Sequence, residues 1–240
     1  MRDNLLLNDK YRIVKKLKES QERSVYLCKN IQTEKPCIIK KYRKDRSSEL
    51  EILKKLSHES LPKISEWFET LNYEYIVENY FDGHTLKQLL KEKGAFKEEE
   101  AIGRIYQLCE VLKYVHNEGV VHGDIKPSNI ILAGDGTLKL VDFGAAQYPG
   151  QNALCFGTIG YAAPENFGFT QIDERADIFS MGAVLYHMLS GKENNKPIFN
   201  ISEDCHISKS LIRVIRKCTA YNKDLRYQSI ELLMSSFQNM

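Results

Sequence analysis

No Cys-x-x-Cys pair occurs in this 240-residue sequence, and its six cysteines, at 28, 37, 109, 155, 205 and 218, stand nine or more positions apart. That spacing argues against a zinc site. A chain of this length has no need of a disulfide framework, so reduced thiols are expected. An excess of one charge is also missing. Lys and Arg number 34 against 32 Asp and Glu, a net charge of +2. Nothing in that balance draws the chain to nucleic acid or to an anionic membrane surface. Long apolar runs are absent too. Leu5–Leu7 is the longest near the start, too short for a signal-peptide core. Met181–Leu189 is far too short to span a bilayer and contains His187. Repeats and low-complexity tracts are missing as well. A soluble, cytoplasmic protein without a membrane segment is therefore expected, and nothing specifies its oligomeric state. What remains is ordinary globular material, 42% hydrophobic and 28% charged, which excludes wholesale disorder.

The first 80 residues read mostly as strands. Tyr11–Lys18, Ser24–Asn30, Lys35–Tyr42 and Tyr73–Glu78 are short, rich in β-branched or aromatic residues and separated by polar breaks. One helix interrupts them over Arg46–Ser57, where Glu49, Leu53 and Leu56 share a face and Ser47 or Ser48 can cap. After Asp82-Gly83 the period becomes helical. Ile102, Ile105, Leu108, Cys109, Leu112, Val115 and His116 form one stripe. Ala176–Ser190 is apolar enough to be buried all round, and Ser208–Thr219 and Gln228–Phe237 form two closing helices. The expected fold is α+β, with a small β-rich lobe over about 1–78, a hinge over 79–83 and a larger, mostly helical lobe over 84–240.

The stretch Val121-His122-Gly123-Asp124-Ile125-Lys126-Pro127-Ser128-Asn129-Ile130-Ile131-Leu132 places an acid, a base and an amide within six residues, between apolar runs that can anchor both ends. Thirteen positions after Asn129 comes Asp142-Phe143-Gly144, preceded by the strand-like Leu138–Val141. An Asn and an Asp converging on one point supply hard oxygen ligands. Those suit Mg²⁺, which keeps several waters and completes its shell from a phosphate. Asp124 can then accept a hydroxyl proton, and Lys126 can neutralise charge developing on a transferred phosphoryl group. Taken singly, each motif reads as a turn or a solvated pair; their ordered combination does not.

With these motifs the sequence resembles the eukaryotic-type (Hanks-type) serine/threonine protein kinase family, from about Tyr11 to Phe237, so that one kinase domain is expected over residues 1–240. H-G-D-I-K-P-S-N resembles the family's catalytic loop and D-F-G its metal-binding turn. Gly157 to Glu165, G-T-I-G-Y-A-A-P-E, is similar to the end of the activation segment. The resemblance implies a bilobal fold, ATP and Mg²⁺ as cofactors, and a protein substrate carrying a Ser or Thr hydroxyl. It implies that Asp124 and Lys126 are catalytic and that Asn129 and Asp142 hold the metal. Lys40, in Cys37-Ile38-Ile39-Lys40, would bind phosphate and pair with Glu49; counting back from Leu56-Ser57-His58 gives Glu49 and not Glu51. Backbone groups of Asn79 and Phe81 would meet adenine, with Val25, Ile38 and Ile131 around the ring; those three read equally well as plain core residues. Thr158 would touch Asp124 and Lys126. Asp177 would anchor the catalytic loop, and Arg226 would pair with Glu165.

Three departures stand out. Lys18, Ser20 and Arg23 occupy the positions of the glycine-rich loop, so the loop has lost the residues that let a backbone approach phosphates. Glu78 stands where an apolar residue usually backs the adenine site, and needs a partner if buried. Gly123 replaces the Arg that receives an activation-segment phosphate, and between Gly144 and Gly157 Tyr148 is the sole hydroxyl. A pseudokinase, a binding module with little or no transfer, is thus an alternative. A small-molecule phosphotransferase of the aminoglycoside type is another, since its loop also begins H-G-D. That group usually lacks the A-P-E segment and the Lys, and both are present here.

Overall fold

The computed structural model describes residues 6–44, 48–150, 157–168, 171–193 and 207–238. The chain forms two compact units, Met1–Ser57 with Pro62–Phe81, and His58–Leu61 with Asp82–Met240. His58–Leu61 therefore departs from the expectation of an uninterrupted small lobe. Its attachment to the larger unit is physical: Ser60 O accepts the Leu140 N–H at 2.9 Å, and the His58 ring lies 5.2 Å from that of Tyr114.

The smaller unit is a six-stranded antiparallel sheet with one helix. Its strands are β1 (Leu6–Leu7), β2 (Tyr11–Glu19), β3 (Arg23–Asn30), β4 (Pro36–Arg43), β5 (Ile64–Glu69) and β6 (Tyr73–Asn79), in the order β1-β2-β3-β4-β6-β5. The four expected strands form with ends shifted by a residue or so. β5 was not expected, although Ile64–Glu69 alternates half-buried and exposed positions along its length. Helix α1 (Glu49–Lys55) lies within the expected 46–57 segment and ends two residues before it does. Ser48 stands at its N-cap without a side-chain cap bond, and Ser47 lies outside the described residues. Register divides the sheet into two chemistries. Tyr11, Cys28, Cys37, Ile39, Tyr75 and Val77 form a buried apolar cluster. Positions of opposite parity on β4 carry Ile38, Lys40 and Tyr42, and Lys40 pairs directly with Val25 on β3 and Ile76 on β6. Tyr42, Leu50 of α1 and Ile76 form a second buried cluster, so the helix lies on the Lys40 face.

The first 82 residues contain no glycine; all fourteen lie from Gly83 onward. Left-handed backbone in the smaller unit is therefore carried by Asn8, Asp9 and Glu34, at φ of 51°, 49° and 54°. Asn and Asp tolerate that region; Glu does so at a cost.

In the larger unit, β7 (Gly83–Thr85), β8 (Ile130–Ala133) and β9 (Leu138–Leu140) form a small antiparallel sheet in that order. The helices are α2 (Leu86–Lys93), α3 (Glu98–Asn117), α4 (Arg175–Ser190), α5 (Lys209–Cys218) and α6 (Ile230–Phe237). α2 was not expected, although its start is written as Thr85-Leu-Lys-Gln88. Thr85 Oγ1 accepts the Gln88 N–H and the Gln88 side chain reaches back to the Thr85 N–H. α4 is buried on nearly every face, as its uniform apolarity implies. It meets α5 at Gly182, where a Cβ would lie 2.4 Å from Cys218 Cβ.

Candidate active site

In each unit one cluster of charged side chains holds the candidate site residues, and each is built by local geometry. In the larger unit, Val121 pairs with Gln147 as an isolated antiparallel bridge, and Pro127–Asn129 forms a 3₁₀ turn leading into β8. Pro127 at the first turn suits a helix start, where its missing N–H is not needed. Between these fixed ends stands Asp124. Its Oδ1 accepts the Thr158 hydroxyl at 2.9 Å, and its Oδ2 accepts Lys126 Nζ at 2.6 Å and Asn129 Nδ2 at 3.2 Å. Lys126 Nζ also donates to Thr158 Oγ1 at 2.7 Å. The structure thus brings Asp124, Lys126, Thr158 and Asn129 into one hydrogen-bonded group.

Asn129 Nδ2 further donates to Asp124 O at 2.9 Å, which directs the amide nitrogen inward and leaves Oδ1 as its acceptor, met by the Ser128 hydroxyl at 3.4 Å. Val141 N–H donates to Asn129 O at 2.9 Å and so holds the Asp142 turn beside it. Asp142 lies at φ 69°, left-handed backbone in a residue other than glycine, a conformation that persists where surrounding structure enforces it. Buried Phe143 supplies that enforcement, edge-on to the His122 ring at 4.7 Å. An amide oxygen and a carboxylate on adjoining turns are a donor set that fits Mg²⁺. Among the described residues no three His, Cys, Asp or Glu side chains gather into a metal site; Mg²⁺ takes most of its shell from phosphate and water.

Beneath the loop lies Asp177, fully buried in α4. Its Oδ2 accepts the His122 N–H at 2.8 Å and shares a 2.8 Å hydrogen bond with His116 Nε2, while Oδ1 accepts the Gly123 N–H at 2.9 Å. Burial alone would raise this carboxyl. The His116 hydrogen bond and the neighbouring imidazoles and N–H groups outweigh it, and the net direction is downward. Gly123 sits at φ 75°, and a Cβ there would stand 2.8 Å from Ala145 O. Position 123 thus rejects a side chain twice, through backbone conformation and through space. Arg226 lies 61 positions from Glu165 and grips it with both guanidinium nitrogens, at 2.5 and 2.8 Å. Its other bonds go to the carbonyls of Ala220, Arg175 and Tyr221.

In the smaller unit, Lys40 is 3% exposed and donates to Glu49 Oε1 at 2.6 Å, with Glu49 fully buried. Glu51 is exposed and contacts Lys54 instead. The Tyr42 hydroxyl donates to the other Glu49 oxygen, and Arg23 Nη1 donates to Tyr42 Oη at 3.2 Å. Glu78, the carboxylate whose partner sequence did not reveal, has its Oε1 2.8 Å from Lys40 Nζ. The signal was present in register: Glu78 pairs with Ile38, two positions from Lys40 on the same face, a diagonal that long side chains span.

Of the proposed adenine contacts, Val25 is buried, Ile38 and Ile131 are half-buried and Phe81 is half-buried at the end of its unit. Asn79 is tied to Lys63: its N–H donates to Lys63 O at 3.1 Å and its side-chain oxygen accepts the Lys63 N–H at 2.7 Å. Its backbone N–H is therefore engaged, and the carbonyl is the group left to meet a base. In the β2–β3 hairpin, Ser20 N–H donates to Arg23 O at 2.8 Å, and Ser20 Oγ accepts the Arg23 N–H at 3.1 Å. Two N–H groups at former glycine positions are thus bonded within the hairpin.

A family model described as Protein kinase domain matches residues 10–238. The probable serine/threonine-protein kinase PknB of Lactococcus lactis is 28% identical over 75% of this chain and 32% of its own length. Serine/threonine-protein kinase PknB of Mycobacterium leprae is 32% identical over 65% of this chain and 28% of its own. The probable serine/threonine-protein kinase 2 of Plasmodium falciparum is 31% identical over 82% and 42%. The chain spans between about a quarter and two fifths of the length of these relatives. With a match over nearly its whole length, and with an α+β, protein-kinase-like architecture, the chain belongs to the protein kinase family of the eukaryotic, Hanks type.

Proposed function

We propose that the chain is a serine/threonine protein kinase that transfers the γ-phosphate of ATP to a hydroxyl of a protein, with Mg²⁺. The observation that carries this reading is the closed group of Asp124, Lys126 and Thr158. Asp124 is held on both oxygens, ready to orient an acceptor hydroxyl and take its proton. Lys126, fixed beside it, offsets negative charge on the group in transit. Asn129 and Asp142 would hold the metal, which when bound neutralises charge on the phosphate oxygens. Lys40, oriented by Glu49, would meet the phosphates. Asp177 holds the backbone on either side of His122 and Gly123 and so fixes the direction in which Asp124 points. No Ser or Thr lies between Gly144 and Gly157, and Gly123 cannot receive a phosphate, so activity would not require phosphorylation there.

The test is transfer of labelled phosphate from Mg-ATP to a generic protein substrate, before and after phosphatase treatment, with Asp124→Asn alongside. Wild type should transfer in both states, and Asp124→Asn should lose about 10²–10⁴ in rate with an unchanged melting curve. Equal rates for the two proteins would remove Asp124 from the chemistry. The pseudokinase reading has one observation in its favour, the internally bonded Ser20–Arg23 hairpin. Absence of transfer by wild type would support it.

A further inference from the structure

One ammonium in the smaller unit faces two carboxylates. Lys40, Glu49 and Glu78 are each no more than 3% exposed. Glu49 Oε1 lies 2.6 Å and Glu78 Oε1 2.8 Å from Lys40 Nζ. Glu49 alone would balance Lys40, and its second oxygen is already bonded by Tyr42. Glu78 thus brings a second carboxylate to the ammonium that Glu49 already engages. The sheet holds it there: Glu78 opposes Ile38 and Lys40 opposes Ile76, so Glu78 cannot leave the Lys40 face without breaking register.

We infer that Glu78 sets the affinity of Lys40 for phosphate: its carboxylate occupies the ammonium that a nucleotide phosphate must engage, and binding exchanges one anion for the other. This inference rests on the kinase reading for its ligand, but not on transfer taking place. Two physical effects act in the same direction. Charge-assisted contacts to Lys40 must be given up as the phosphate arrives. The Glu78 carboxylate also repels a polyanion, within a buried site where screening is weak. Glu78 thereby acts as a specificity-determining residue against phosphate-bearing ligands, while adenosine, which carries no phosphate, is spared this exchange.

The test compares wild type with Glu78→Gln, which keeps the shape and removes the charge, and with Glu78→Met, which carries the test if the glutamine variant fails to fold. Calorimetry would measure dissociation constants for Mg-ADP and for adenosine. Transfer assays would give KM for ATP and kcat. The expected result is Mg-ADP binding on the order of tenfold tighter in the variants, adenosine binding changed by much less, and a lower KM for ATP. If Mg-ADP binds no tighter, or if adenosine tightens equally, the inference is overturned, whatever the transfer activity. If wild type transfers no phosphate and Glu78→Gln still tightens Mg-ADP alone, the inference stands and the catalytic reading of Asp124 falls.

Discussion

At the scale of single residues, stability in the larger unit concentrates where charge is buried. Arg226 presents five N–H donors, and Glu165 with three carbonyls receives them. Only the planar fork of arginine satisfies that set. Arg226→Ala would leave Glu165 buried without its counter-charge, at a cost of about 3–5 kcal/mol. Urea unfolding should show this as a large fall in midpoint, whereas Lys16→Ala, at an exposed pair with Glu19, should leave the midpoint in place. A small effect at Arg226 would mean that Glu165 finds another partner. The cysteines behave as small apolar residues. Burial pushes Cys28 up to about 12 and Cys37 up to about 11, and it raises Cys109 and Cys218 as well. All four are free thiols far from reactive thiolates. Cys155 and Cys205 lie outside the described residues.

At the scale of elements, two helical glycines respond to alanine in opposite ways. In α4, Gly182 admits α5 so closely that a Cβ would meet Cys218 Cβ at 2.4 Å and Thr219 Cγ2 at 3.0 Å. Gly182→Ala must push the helices apart and should cost about 1–3 kcal/mol. In α3, a Cβ on Gly103 meets nothing within 4 Å, so Gly103→Ala should stabilise by up to about 1 kcal/mol through helix propensity alone. Thermal melts of the two variants should move in opposite directions; a shift in the same direction would break the packing account of Gly182. In sequence these two glycines are alike, each one inside a helical pattern. What separates them is an approach between residues more than thirty positions apart, Gly182 and Cys218, which no local period encodes. The same distinction runs through the fold. α4 was legible because its apolarity is uniform, and Glu49 because helical spacing turned it inward with Leu53. β5 was missed because Ser65, Glu66 and Glu69 dilute its β-branched and aromatic positions. The partner of Glu78 was missed because it depends on the register between β4 and β6. The candidate site was the most legible part, since Asp124, Lys126 and Asn129 are close in sequence and the structure brings them into one hydrogen-bonded group. That the Asn79 N–H is engaged was not visible, because its bond to Lys63 joins β6 to the residue before β5.

At the scale of the whole molecule, pH links these local arrangements to global stability. His187 is buried against the Tyr161 hydroxyl at 2.6 Å, and burial lowers its affinity for a proton below the usual value of 6.5. Its neutral form is favoured on folding, so its contribution is complete above 6.5 and declines as pH falls below that value. Asp173 and Asp177 are also lowered. In both, burial opposes the shift, and hydrogen bonds from Arg175 and Lys223, or from His116, more than offset it. Their contribution is complete above the ordinary aspartate value of 3.8 and is lost as pH falls below it. Urea midpoints should therefore decline in two stages on acidification, the first abolished by His187→Gln and the second reduced by Asp173→Asn. A midpoint independent of pH between 7 and 4, about where the first stage falls, would contradict the burial of a neutral His187. The missing glycines of the smaller unit have a consequence of another kind. A chain without glycine wanders through fewer backbone conformations when denatured, by roughly 0.5–1 kcal/mol of entropy for each glycine replaced by a residue with a side chain. The first 82 residues thus surrender less disorder on folding than an equal length of the remainder, and their turns at Asn8, Asp9 and Glu34 carry some of that difference back as strain in the native state.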